Sequence, residues 1–498
     1  MKNSKFLSFL GTLSKKELVA FEQYLLFFHR KEKIALLVFS YLKPYYPKFN
    51  APAIAFDFAY QEIFGAPLPV EPKGGKNKAK KLLNALSDLF LFLKEFLIIQ
   101  KVKKYPLEKE LLWSGVLLDR RKVRAFETHY PKLKKKVNSS PADVPGYLDK
   151  LAASYIPNYL LLEDNSARSI ASLLTFIDDL DCFYTSTRLK MACEIATQKN
   201  VLALNLPMDS AFQAVSLVGV LSPDLKKSNP LIAIYRELFL LIVNKQHESF
   251  KKVESLLRAY TDRIENREQH IIVIHLLNYA AAQIRLGHPE GWSMVHRLNE
   301  YGIKKKLFIE GGVMSPVQFT NIINAACKTR SFRWAQNFVK TYAPYLGEDI
   351  RENNIALGQA QIAFEQGFYK KTMSVLKKNP GGDLFYELRA RSLTLRSICE
   401  LRQEVVEIQK YCFAFEQYIF RNKKRNTEAI ASVLNFIKML KILIFRKKDK
   451  ERIINEIKTL KPIQFEDWLL TQVEVYYGTA PSRVEGKLRG KSGNQLKT

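Results

Sequence analysis

Four groups of residues in this chain have types and spacings that suggest chemistry. Gly486-Lys487-Leu488-Arg489-Gly490-Lys491-Ser492 comes within one residue of the G-x-x-x-x-G-K-S phosphate loop. That loop works because a strand before it and a helix N-terminus after it aim backbone N–H groups at phosphate. Here the segment sits in a polar tail with no strand ahead of it, so it reads as a basic tail. Lys73-Gly74-Gly75-Lys76 lies between two helical patterns and reads as a loop. Asp178, Asp179 and Asp181 form the tightest acidic cluster. A carboxylate pair on a helix holds a divalent cation when a second acidic set faces it. No second set stands out, so the cluster is expected to be a solvated helix face.

The histidines are His29, His129, His247, His270, His275, His288 and His296. His270 and His275 are five apart, whereas the metalloprotease H-E-x-x-H pair needs two ligands one turn apart with a Glu between. No G-x-S-x-G nucleophile elbow is present. Cys182, Cys193, Cys327, Cys399 and Cys412 are odd in number, lack a C-x-x-C pair and sit in apolar surroundings. They read as small buried residues of a protein in a reducing compartment. The resulting expectation is a chain with no catalytic, cofactor-binding or metal-binding residues, and therefore not an enzyme.

Charge is the strongest feature outside the apolar pattern. The 498 residues carry a formal net charge of +29. Residues 1–150 hold 28 basic and 14 acidic side chains, and residues 381–498 hold 23 and 14, so the excess is concentrated at the two ends. The clusters are Lys76, Lys78, Lys80 and Lys81, then Lys101, Lys103 and Lys104, then Arg120, Arg121, Lys122 and Arg124, and then Lys132, Lys134, Lys135 and Lys136. Late in the chain come Arg421, Lys423, Lys424 and Arg425, followed by Arg446, Lys447, Lys448, Lys450 and Arg452. Such runs are the footprint of phosphate-backbone contact. Lys outnumbers Arg, however, which suits solvation more than bidentate recognition, and no RNA-reading signature accompanies them.

The elements that must position these groups are helices. Gly and Pro number 21 and 20, about 8 % of the chain against a usual share of about 12 %. That scarcity argues against an all-β fold, which needs many turn residues. Apolar residues make up 47 %, enough to exclude whole-chain disorder. No run of about 18 uncharged apolar residues occurs, and Leu82–Gln100, the nearest approach, contains Asp88, Lys94 and Glu95. The N-terminus has no cleavable leader pattern. A cytoplasmic protein with no transmembrane segment is expected.

Ser14-Lys15-Lys16-Glu17 predicts a capping box, with Leu13 and Leu18 as its staple and Leu18, Phe21 and Leu25 as the buried face. Helices are predicted to end near Leu42, to cover Pro52–Phe64 and Asn77–Lys104, and to continue through 107–130 and 132–137. Residues 65–75 and Asn138–Gly146 read as linkers. Aromatic groups such as Phe56, Phe58 and Tyr60, or Phe413 and Phe415, are at helical spacing and are expected in the core.

Residues 315–420 repeat. Ser315-Pro316-Val317-Gln318 predicts another capping box. Phe319, Ile322, Ile323 and Ala326 form one stripe, and Ala335, Phe338, Val339 and Tyr342 the facing one. Ala356, Ala360, Ala363 and Phe364 precede a turn at Gly367, with Phe368, Thr372, Val375 and Leu376 after it. Leu388, Ser392, Leu395 and Cys399 precede a turn near Arg402, with Val405, Ile408, Cys412, Phe415 and Ile419 after it. The turns at Arg330, Gly367 and Arg402 are 37 and 35 residues apart. This resembles tetratricopeptide repeats, whose period is about 34, although Gly is missing from the first and third turns.

The stretches LSKKELVAFEQYLLFF (13–28), LLNALSDLFLFLKEFL (82–97), RSFRWAQNFVKTY (330–342), FEQGFYKKTMSVL (364–376), DLFYELRARSLTLRSICEL (383–401) and RNKKRNTEAIASVLNFIKML (421–440) carry a wider likeness. The chain resembles a group of uncharacterised bacterial all-helical proteins with tetratricopeptide-like repeats. The resemblance implies a helical-repeat fold and brings no reaction, ligand or site residue.

The expected architecture is all-α. It has an N-terminal helical domain over 1–140, an α-solenoid-like stack of helix hairpins over 147–478 and a flexible basic tail over 479–498. The expected function is a non-catalytic scaffold or adaptor that binds a protein or peptide through the repeat surface. The alternative is a nucleic-acid-associated helical protein whose basic ends contact phosphates.

Overall fold

Helix follows helix because each apolar stripe recurs every three or four residues and needs a neighbour to cover it. The computed structural model describes residues 4–65, 75–157, 167–202, 208–378, 381–422, 428–445 and 449–478. Among these the chain is all-α, with 24 α-helices and one two-stranded hairpin. No helix among the described residues is long and apolar enough to cross a membrane. The near-phosphate-loop at Gly486–Ser492, residues 479–498 as a whole, Lys73-Gly74 and the basic residues at 423–425 and 446–448 lie outside the described residues.

The chain divides into two units. The first comprises Met1–Arg188 and Ser216–Ile232, and the second Leu189–Val215 and Ala233–Thr498. The first unit begins with α1 (Lys5–Leu10), α2 (Lys15–Phe28), α3 (Lys33–Leu42) and α4 (Phe56–Phe64). Then come α5 (Gly75–Lys104), α6 (Pro106–Asp119), α7 (Val123–Asn138) and α8 (Val144–Tyr155). The predicted capping box forms: Ser14 Oγ accepts from Glu17 N–H at 3.2 Å, and Glu17 Oε2 accepts from Ser14 N–H at 2.9 Å. Helices α1, α2 and α3 pack on α5 around Phe6, Phe21, Phe39, Leu89 and Phe96.

Some boundaries differ from expectation. Pro52–Ile54 is a 3-10 turn ahead of α4 rather than part of it. The stretch 107–130 breaks at Arg121, whose φ is +53°. The next helix instead runs through Pro131, because the apolar row Phe126, Leu133, Val137 continues across the proline. The 139–143 link lies inside the first unit.

The unit division falls within the longest described helix, α9 (Ala167–Leu202). After it come α10 (Asp209–Val220) and α11 (Pro223–Ser228). The second unit is then a run of antiparallel hairpins: α12 (Pro230–Asn244) with α13 (His247–Ala259), α14 (Asn266–Arg285) with α15 (Glu290–Lys304), and α16 (Pro316–Lys328) with α17 (Phe332–Tyr342). It continues with α18 (Glu348–Glu365) and α19 (Tyr369–Lys378), then α20 (Leu384–Glu400) and α21 (Val405–Arg421). The last helices are α22 (Glu428–Ile444), α23 (Lys450–Thr459) and α24 (Glu466–Gly478). From α16 onward, the first helix of each hairpin packs on its own partner and on the first helix of the next hairpin: α16 on α18, α18 on α20, α20 on α22. The two-residue strands Ile309–Glu310 and Val313–Met314 pair across Gly311-Gly312, both at positive φ. Glycine takes positive φ without steric cost, which suits Gly-Gly to that two-residue turn.

The three repeat turns are alike although only one has glycine. Arg330, Gly367 and Arg402 have φ of +58°, +84° and +51°. Each donates its N–H three residues back, to Cys327, Phe364 and Cys399, at 2.9 Å. The following residue donates five back: Ser331 to Ala326, Phe368 to Ala363, Gln403 to Ile398. This is the Schellman closure, which satisfies the last carbonyls of a helix. Gly287 between α14 and α15 closes in the same way. The predicted stripes face inward except Phe368 and Val405, each at a helix start and exposed. The capping box at Ser315 does not form, because Ser315 makes no side-chain cap bond and Gln318 Nε2 donates to Asn299 Oδ1 at 3.5 Å instead.

Candidate functional site

Three first helices of successive hairpins converge on one groove of about 330 Å³. Thr320 comes from α16, Asn353 and Asn354 from α18, and Phe385, Tyr386 and Arg389 from α20. The Gly381-Gly382-Asp383 turn closes one side. Gly381 has φ +95°, and a Cβ at Gly382 would lie 2.4 Å from the Tyr386 ring, so this tight path needs both glycines. Asp383 caps α20, its Oδ1 accepting from Tyr386 N–H at 2.8 Å. Asn353 Nδ2 donates to Gly381 O at 2.7 Å and ties the turn to α18.

Arg389 is the cation of the groove, which Asp349 and Asp383 also line. It is half-buried, and among the described residues it donates to Asn321 Oδ1 at 3.4 Å. Burial pulls its pKa below the usual arginine value, while the Asp383 carboxylate pulls it back up. A guanidinium flanked by two carboxylates suits a carbonyl-bearing occupant, to which it donates. The groove therefore offers a guanidinium, amide side chains, and the Phe385 ring, which is 50 % exposed. A second groove of about 530 Å³ lies between α17, α18 and α19, with Val339, Ile362 and Val375 as apolar lining and Gln336, Lys340 and Lys371 among its polar residues.

No family model matches the chain, and no curated protein matches it.

Sequence reasoning missed Asn353, Asn354 and Arg389. The available signal was an Asn-Asn pair inside a helical pattern, because asparagine competes with helix backbone and is uncommon there without a side-chain role. The residues singled out from sequence go elsewhere. Asp178 is exposed, whereas Asp179 is half-buried: burial raises its pKa, with Ser154, Lys150 and Lys134 pulling it back down. His270 Nδ1 meets Leu307 O at 2.6 Å. His275 Nδ1 meets Thr197 Oγ1 at 3.2 Å, and its Nε2 lies 3.4 Å from Glu194 Oε1. Burial pushes the Cys327 and Cys412 thiols up to about 12, which leaves them poor nucleophiles. Phe58 and Phe413 face outward, at 61 % and 60 % exposure, whereas Tyr60 and Phe415 are core.

A polar centre in the second unit ties α9, α12 and α14 together. Glu268 is 3 % exposed, accepts from the Tyr235 hydroxyl on Oε1, and pairs through Oε2 with Lys190 Nζ at 2.9 Å. Both carboxylate oxygens are thus engaged, as a buried carboxylate requires. The basic clusters separate into paired and solvent-facing members. Lys104 pairs with Glu17, Lys136 with Glu110 and Lys450 with Glu474. Arg120, Arg121, Lys122, Arg124, Lys132, Lys134 and Lys135 are exposed on α7 and the turn before it.

Proposed function

We infer that the chain is a non-catalytic scaffold whose helix hairpins form a tetratricopeptide-like stack and hold a peptide segment of a partner protein. The observation that carries this reading is Arg389, a half-buried guanidinium bonded to Asn321 and lining, with Asn353, Asn354, Asp349 and Asp383, a groove built by three successive hairpins. Amides and a guanidinium recognise backbone carbonyls of an extended segment, and Phe385 gives an adjacent apolar contact. Repeated left-handed turns and first-helix-on-first-helix packing support the repeat reading.

The test is affinity capture at physiological salt with nuclease present, comparing the parent chain with Arg389→Glu. Recovery of one protein by the parent and its loss with Arg389→Glu, at unchanged circular dichroism, is expected. Equal recovery by both would remove the groove from the mechanism.

A nucleic-acid reading, with the basic ends as phosphate contacts, is supported by the exposed basic residues of α7 and the turn before it, and by Lys80, Lys81, Lys101 and Lys103 on α5. It predicts binding to generic RNA or DNA that falls steeply between about 50 and 200 mM salt. It also predicts weaker binding when Lys132 and Lys135 are replaced by Glu.

A further inference from the structure

Helix α9 carries an exposed apolar row. Thr185 and Ser186 are buried on one side, whereas Ile170, Leu173, Ile177, Leu180 and Tyr184 on another are each 40–62 % exposed. Scattered surface apolar residues need no explanation, but a contiguous row does. The row also has a period. Ile170, Ile177 and Tyr184 are seven apart, and Leu173 and Leu180 are seven apart in the intervening line. Steps of three and four are the a and d positions of a heptad, and Leu174, 59 % exposed, widens the stripe. Over these two heptads the row drifts by about 40° on a straight helix, and winding two helices around each other removes that drift.

We propose that the Ile170–Tyr184 face of α9 is a homodimer seam, in which the same face of a second copy of this chain packs against it as a parallel two-stranded coiled coil. The residue types select that occupant. Two of the three a positions are β-branched Ile, the third being Tyr184, and both d positions are Leu; Ile at a with Leu at d favours two parallel strands. A seam that meets itself across a two-fold axis needs no second surface to be complementary. The area agrees: the six exposed apolar side chains present roughly 600 Å² per copy, so two copies bury about 1,200 Å², the lower end for a specific interface. In this arrangement Ile177 of one copy packs on Ile177 of the other.

The experiment is sedimentation equilibrium of the full chain between about 1 and 100 µM, with the variants Ile177→Glu and Ile177→Cys. The expected result is a reversible dimer whose dissociation constant rises at least about tenfold in Ile177→Glu, with the helical circular dichroism signal unchanged. Under mild oxidation Ile177→Cys gives a two-chain disulfide product that the parent, with its own five cysteines, does not. A parent that stays monomeric up to about 100 µM overturns the proposal and leaves the seam to residues 158–166 of the same chain or to a foreign helix. A dimer indifferent to Ile177→Glu, with no cross-link in Ile177→Cys, overturns it equally.

Discussion

The Nζ of Lys190 lies 2.9 Å from Oε2 of Glu268, a residue 78 positions later in the chain. Both groups are largely removed from water, at 15 % and 3 % exposure. Breaking a buried pair costs more than the pair contributes, because the remaining charge keeps its desolvation penalty. Lys190→Met is therefore expected to destabilise the second unit by about 3 kcal/mol. Glu268→Gln should cost less, about 1–2 kcal/mol, since an amide oxygen still accepts from Tyr235. Thermal or urea unfolding of the two variants gives the order directly.

His275 is expected to make stability depend on pH. Burial lowers its pKa below 6.5, with Glu194 opposing and Lys190 adding to the shift. The folded protein thus binds fewer protons than the unfolded chain just below that value. The contribution is fully present above about pH 6.5 and is lost as pH falls toward the folded pKa. His275→Gln should flatten that part of the stability–pH curve. Denaturation at a series of pH values from 7.5 to 5 distinguishes the two slopes.

Arg396 is 4 % exposed, with its guanidinium carbon 4.3 Å from the Phe364 ring centre and 4.0 Å from that of Phe465. Burial brings its pKa down to about 10, against the pull of Glu365 and Glu400. It remains charged at neutral pH, clamped by two aromatic faces. Arg396→Ala removes the cation and leaves a cavity, and is expected to cost about 3 kcal/mol or more. Arg396→Met fills the slot between the rings and should cost clearly less. Equal losses would show that the charge, not the packing, dominates.

The repeat turns allow a test of backbone strain. Gly367→Ala places a Cβ at φ +84° and should lower stability by about 1 kcal/mol. Arg330→Gly relieves the same strain but adds freedom to the unfolded chain, so its effect should stay under about 0.5 kcal/mol. Melting temperatures of the two variants test the difference.

The helices were legible because apolar spacing is a local property. The α2 capping box, the Leu18–Phe21–Leu25 face and the stripes around Arg330, Gly367 and Arg402 all emerged from neighbours within a few residues of one another. The Ser315 box had the right letters and did not form, because Gln318 found Asn299 across a hairpin. Phe58 and Phe413 face solvent instead of the core, since a one-residue difference in helix phase turns a side chain from one side to the other. The groove residues Asn353, Asn354 and Arg389 come from two helices some 35 residues apart, and no local pattern joins them.

The sequence by itself determined that the chain is all-α, where α2 begins, and that the turns at Arg330, Gly367 and Arg402 recur at 37 and 35 residues. Those outcomes follow from periodicity, caps and the scarcity of glycine and proline. Only the tertiary structure decided that Arg330 and Arg402 adopt the left-handed turn that Gly367 takes easily, that Lys190 finds Glu268, and that Arg389 lies in a groove rather than in open solvent. Packing can impose an unfavourable dihedral or bury a charge because many apolar contacts act together, and that sum is not written in any one stretch of the chain.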